Sequence, residues 1–174
     1  MQADATLEEA TLAPAVIDIE ASGFGRGSYP IEVGFVLPDG EAWCSLVRPE
    51  PGWLHWDPAA AQVHGITQEC LLSHGRSCRD IAELLNRRLR GLTVYTDGWA
   101  HDYSWMGRLY EAADLLPSFR LDNLFVLLDE ARLAHWDATR QAVALRLQLQ
   151  RHRASADARV LQETVRQLSQ QPLR

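Results

Sequence analysis

Asp18 and Glu20 stand two residues apart in the segment Ala15–Glu20. A strand alternates its side chains between faces, so this spacing puts both carboxylates on one side and Ile17 and Ile19 on the other. Two acids held that close raise each other's pKa unless a cation lies between them, and hard oxygen donors suit Mg²⁺ or Mn²⁺. A solvent-facing polar edge would produce the same pattern. Asp102 is a third candidate. It follows the apolar run Leu92–Thr96 and opens a helical pattern, at a strand end where ligands collect in open α/β sheets. Asp97 competes for that role, and an ordinary helix N-cap would equally place an aspartate there. His152 and Asp157 lie five residues apart near the C-terminus. On one helix they would point about 140° apart. They converge only if His152 lies in the loop before the helix that carries Asp157. A histidine so placed suits a general base; a solvated imidazole in the basic stretch Arg151–Arg153 is the plainer alternative.

These residues need elements to position them. Periodicity and turn residues predict strands over 15–20, 31–37 and 41–47, joined by the Gly-rich turn 23–30 and by Pro38-Asp39-Gly40. Short helical character follows at 59–63. Ile81, Leu84, Leu85 and Leu89 form an apolar stripe over 78–90, ended by Gly91. Further expectations are a strand at 92–96, a helix at 102–113 and a strand at 118–121. Asp122 is expected to cap a helix over 123–132, with two more helices at 139–150 and 154–169. An antiparallel meander followed by alternating helices and strands gives one mixed sheet covered by helices.

The 174 residues suit a single domain, expected at 14–174 behind a loose leader at 1–13. No apolar run reaches membrane-spanning length, and the acidic N-terminus lacks a signal pattern, so the expected location is cytoplasmic, with no membrane partner. Cys44, Cys70 and Cys78 form no C-x-x-C pair and read as free thiols. A net charge of −6 argues against a nonspecific polyanion binder, although divalent ions in a carboxylate site could attract phosphate. All 17 basic residues are arginine, so any phosphate contacts would use planar guanidinium groups. His55, His74, His101 and His135 show no ligand spacing and read as surface residues.

Taken in order, the motifs resemble those of the DEDDh family of 3′–5′ exonucleases, which includes proofreading exonucleases, oligoribonuclease and ribonuclease T. Asp18-Ile19-Glu20-Ala21-Ser22-Gly23 resembles D-x-E-T-[TS]-G, and His64-Gly65-Ile66-Thr67 resembles H-G-I-T. Asp102-Tyr103-Ser104-Trp105-Met106 resembles D-x-x-[FW]-[LM], and the segment from His152 to Ala158 resembles H-x-A-x-x-D-A. Two departures stand out. Ala21 replaces the usual threonine, and Gly98-Trp99-Ala100-His101-Asp102 departs from N-x-x-[FY]-D.

The resemblance implies an α/β fold of ribonuclease-H-like type, a mixed five-stranded sheet with helices on both faces. It implies two Mg²⁺ or Mn²⁺ ions, one held by Asp18, Glu20 and Asp157, the other by Asp18 and Asp102, with His152 as base. Ala21, Gly23, His64 and Ile66 would lie against the substrate, and Trp99, Tyr103 and Trp56 are the aromatic candidates for stacking on bases. Arg151 and Arg153 could grip phosphate. The implied partner is single-stranded nucleic acid with a free 3′ end, RNA slightly preferred over DNA. Similarity to oligoribonuclease and ribonuclease T suggests a homodimer, with the 139–150 helix as interface or packed on the sheet. The rival readings are a phosphodiesterase acting on dinucleotides and a non-catalytic nucleic-acid-binding domain.

Overall fold

The computed structural model describes residues 13–170. The expected leader therefore falls almost wholly outside the described residues. Five strands form one sheet in the order β3-β2-β1-β4-β5: β1 is Ala15–Ala21, β2 Pro30–Val36, β3 Ala42–Leu46, β4 Thr93–Thr96 and β5 Arg120–Asn123. β1, β2 and β3 form the antiparallel meander, while β4 runs parallel to β1 and β5 parallel to β4. The fold class is the mixed α/β sheet expected from the sequence.

Alternation along the central strand divides the core. Ala15, Ile17, Ile19 and Ala21 of β1, with Val33 and Phe35 of β2, pack beneath helices α3 (Cys78–Arg88) and α4 (Trp99–Ala113). Val16 and Val36 point the other way, toward Ala158, Leu161 and Val165 of α7 (Ala154–Gln170). Helices thus cover both faces. Asp18 and Glu20 share the α7 face with Val16, as the period-two argument requires.

The approach of α7 to the sheet is set by β2. In register with Asp18 and Glu20 stand Gly34 and Glu32. A Cβ at Gly34 would lie 2.3 Å from the backbone nitrogen of Ser155 and 2.6 Å from the carbonyl carbon of Ala154. Only a residue without a side chain lets the first turn of α7 rest on the strand. Glu32, 1% exposed at its side chain, accepts from Nε and Nη2 of Arg153 at 2.6–3.1 Å and from the Ala154 backbone N–H at 2.9 Å. One buried carboxylate thereby satisfies an orphan donor at the helix start and a guanidinium.

The remaining helices are α1 (Pro58–His64), α2 (Gln68–His74), α5 (Glu130–Leu133) and α6 (Trp136–Leu147). Several differ from expectation. α2 has no sequence stripe because Leu71 is its one buried residue; Thr67 starts it by accepting from the Cys70 N–H at 3.1 Å. α4 begins three residues earlier than expected, behind Gly98, so Asp102 lies within the first turn rather than at the cap. Asp122 is a strand residue, not an N-cap. Asn123 caps a 3₁₀ turn at Leu124–Leu127, and Asp129 restarts the chain as α5, which breaks the expected helix over 123–132 in two. The helix expected at 139–150 runs from Trp136 to Leu147 and packs on α7. No helix among the described residues is long and apolar enough to cross a membrane.

Gly34→Ala is expected to destabilise the protein by about 1–3 kcal/mol through overpacking at the α7 contact. Urea unfolding checks this; an unchanged midpoint would show that α7 adjusts freely.

Candidate active site

The C-terminal ends of the parallel strands β1 and β4 open into a cleft of roughly 400 Å³. Asp18 and Glu20 enter from β1, Asp97 from the end of β4, Asp102 from α4, and His152 and Asp157 from the start of α7. Every acid singled out in the sequence lines this one cleft, with Asp97 and Asp102 both present.

Each is held by its own local structure. Asp102 is 3% exposed and accepts a short hydrogen bond from Thr96 Oγ1, which itself accepts from the Gly98 N–H at 3.1 Å. The end of β4 thus fixes the acid of α4. His152 precedes α7 on a left-handed turn, φ 59°, a conformation unusual for a non-glycine residue. Its backbone N–H donates to Asp157 Oδ2 at 2.7 Å. The loop placement required for convergence is therefore present. Glu20, His152 and Asp157 offer donor atoms all within 4.8 Å of one another.

The electrostatics are those of crowded, partly dehydrated carboxylates. Burial pushes Asp18 well above the usual range, and Asp102, Glu20, Asp157 and Asp97 add to the effect. Burial, then Asp157 and Glu32, raise Glu20 to about 7, against the opposing charge of Arg153. Burial raises Asp102 to about 7 despite the Thr96 hydrogen bond, with Asp97 and Glu20 contributing further. Such a set of hard donors, with an excess of negative charge and too little solvent to screen it, fits divalent cations.

The walls come from residues of mixed legibility. His64 is buried, and its Nδ1 accepts from the Ile66 N–H at 3.0 Å. Because Nδ1 accepts, the ring proton is carried on Nε2, and burial lowers the pKa of the ring. That buried N–H has no partner among the described residues, and His64 lines the cleft. Ala21 and Gly23 line it too; Gly23 has φ 136°, and a Cβ there would fall 2.6 Å from that of Asp57.

Four expected contacts are not in the cleft. Ile66 is buried in a satellite core with Tyr29, Ile31 and Leu71, and Trp56 packs against that core. Trp99 and Tyr103 stack on each other, ring centres 5.5 Å apart, on the outer face of α4. The helix carries one residue in four inward at this end, and Asp102 takes that position. The aromatic wall is instead Phe24, His101 and Trp105, with Phe24 and His101 rings 5.1 Å apart and His101 stacked on Trp105 at 5.6 Å. His101 is thus a cleft residue rather than a bystander. Phe24 is marked in the sequence only as a large apolar residue between two glycines; the structure leaves it 67% exposed. Arg151 lines the cleft, whereas Arg153 is committed to Glu32. Arg140 of α6 also lines it and had no motif to mark it.

No protein-family model and no curated protein matches the sequence. Solved structures do. Exonuclease I from Methylocaldum szegediense superposes with a TM-score of 0.68 at 16% identity, over 92% of this chain and 41% of its own. E. coli exonuclease I in complex with a dT13 oligonucleotide gives 0.64 at 13% identity, over 90% and 40%. The zinc-bound E. coli exonuclease I–ssDNA complex gives 0.61 at 14%, over 87% and 39%. The fold is shared with exonuclease I. It is the ribonuclease-H-like α/β sheet, and the chain spans about two fifths of the length of those exonucleases.

Without metal, folded Glu20 and Asp102 keep their protons to about pH 7, whereas unfolded they release them near 4.5 and 3.8. The folded state then binds more protons than the unfolded between those limits, so stability falls as pH rises through the window. Thermal melts in EDTA are expected to fall from pH 5.5 to pH 8, with Mg²⁺ restoring stability chiefly at pH 8. A pH-independent melt that ignores Mg²⁺ would contradict this electrostatic picture.

Proposed function

We propose that the protein is a metal-dependent 3′–5′ exonuclease that removes nucleoside 5′-monophosphates from single-stranded nucleic acid. The observation that carries the reading is the convergence of four acids from β1, α4 and α7 with His152, in one cleft of a fold shared with exonuclease I. Asp18, Glu20, Asp102 and Asp157 would hold two Mg²⁺ or Mn²⁺ ions. Bound there, the ions supply Lewis-acid stabilisation of charge on the phosphate oxygens.

The protein's own groups do the rest. His152, held on its left-handed turn by Asp157, takes the proton of the attacking water. The His64 Nε2–H is a fixed donor for an oxygen of the terminal nucleotide, and pairing it removes the penalty of an orphaned buried group. Phe24, His101 and Trp105 offer π faces to a base without selecting its identity. Ala21 and Gly23 leave room for the terminal sugar. RNA was the slight preference from sequence resemblance, while the solved exonuclease I complexes hold deoxyoligonucleotides or ssDNA. Both polymers belong in the assay.

The test is digestion of 5′-labelled single-stranded RNA and DNA with Mg²⁺ or Mn²⁺, against EDTA and Asp18→Ala. A ladder shortening from the 3′ end, lost in both controls, is the expected result. His152→Ala is expected to slow turnover by about 10²–10⁴-fold. Asp102→Asn should be far more damaging than Asp97→Asn, and the reverse order would transfer the second-metal role to Asp97. Absence of any ladder, with cleavage confined to dinucleotides, would replace the polymer reading.

A further inference from the structure

Helix α6 packs on α7 through a stripe in which Trp136, Thr139 and Val143 are buried. Arg140 occupies the same stripe, four residues after Trp136 and three before Val143, where packing against a neighbouring helix favours an apolar side chain. It is half-buried, and no hydrogen bond or ion pair ties it to any of the described residues. Two other arginines are paired: Arg146 with Glu163 at 2.5 Å and Arg153 with Glu32 at 2.6 Å. Arg140 instead lines the acidic cleft and a smaller adjoining cavity that it shares with Arg151 and Asp157. Burial raises the pKa of Asp97, and the charge of Arg140 lies near enough to that acid to oppose the rise, yet no N–H of the guanidinium is tied in a hydrogen bond to the described residues, which leaves the fork for a ligand's oxygens.

The cleft needs such a group. Five carboxylates line it, and a phosphodiester entering beside them meets repulsion that only cations offset. We propose that Arg140, assisted by Arg151, is the phosphate-holding wall of the cleft. It grips the nonbridging oxygens of the scissile phosphodiester and then the 5′-phosphate of the released mononucleotide. A planar guanidinium presents two parallel N–H donors to two such oxygens, which fixes the orientation of the phosphate. Arg140 is a positioning residue; it transfers no proton. The inference rests on the exonuclease reading above.

The experiment is calorimetric titration of wild type, Arg140→Met and Arg140→Lys, each with Mg²⁺, using a nucleoside 5′-monophosphate and the matching nucleoside without phosphate. Arg140→Met keeps the apolar stem and removes the charge. It should weaken monophosphate binding by about 10- to 100-fold and leave nucleoside binding unchanged. Arg140→Lys should fall between, because it keeps charge and loses the fork. With an oligonucleotide, the loss should fall on KM more than on kcat. Equal monophosphate binding by wild type and Arg140→Met overturns the proposal, as does an equal loss for the unphosphorylated nucleoside, which marks a structural role. A wild type that binds no monophosphate also overturns it. If Arg140→Met does not fold, as read by its melting curve, Arg140→Lys decides by the same comparison. A wild type that binds monophosphate through Arg140 but shortens no oligonucleotide removes the exonuclease reading alone; one that shortens oligonucleotides with Arg140→Met unaltered removes this proposal alone.

Discussion

The contact between the first turn of α7 and strand β2 is the constraint on which the site depends. Gly34 leaves the space, and Glu32 fills the adjacent position with a buried carboxylate that holds both the Ala154 N–H and the Arg153 guanidinium. Because Glu32 and Gly34 stand in register with Glu20 and Asp18, docking α7 there delivers Asp157 and His152 to the strand that carries those two acids. Moving the helix by one turn, about 5.4 Å, would take both out of reach. The pair is costly to bury and would be a weak device for stability alone. Its value is in register, since it specifies where a helix begins relative to two acids.

The same contact explains the electrostatic state of the cleft. Glu32 is one of the charges that raise Glu20, while Arg153 opposes it, so the staple that positions α7 also tunes the strand acid. Thr96 performs a similar service at the other side, by orienting Asp102 while partly offsetting the burial that raises its pKa. The fold assembles mutually repelling acids and braces them with Thr96 on one side and the Glu32–Arg153 pair on the other. Crowding buried acids in this way costs conformational stability, and the donor set suits cations.

Much of this was legible in the residues. Period-two alternation placed Asp18 and Glu20 opposite Ile17 and Ile19, and helical geometry required His152 to precede the helix of Asp157; both hold. The mixed sheet was legible as a meander followed by alternating helices and strands, while its strand order came from the structure. Less legible were elements without periodicity. α2 buries one residue, and the stretch after β5 divides where Asn123 and Asp129 each start a new turn, so neither offered a continuous stripe. The aromatic candidates lie outside the cleft for a related reason. Trp99 and Tyr103 lie near Asp102 in sequence, but a helix directs neighbours 100° apart, and they face outward.

Sequence alone determined the candidate groups: the acids, the histidine, their order and the alternation that puts two of them on one face. These are local properties, decided by backbone geometry over a few residues. Tertiary structure decided which of the surrounding groups belong with them. Phe24, His101, Arg140 and the orphaned N–H of His64 reach the cleft from separate elements, and Arg153 is withdrawn from it by Glu32, 121 residues away in the chain. Contacts over such separations depend on how sheet and helices pack, and nothing in local spacing encodes them.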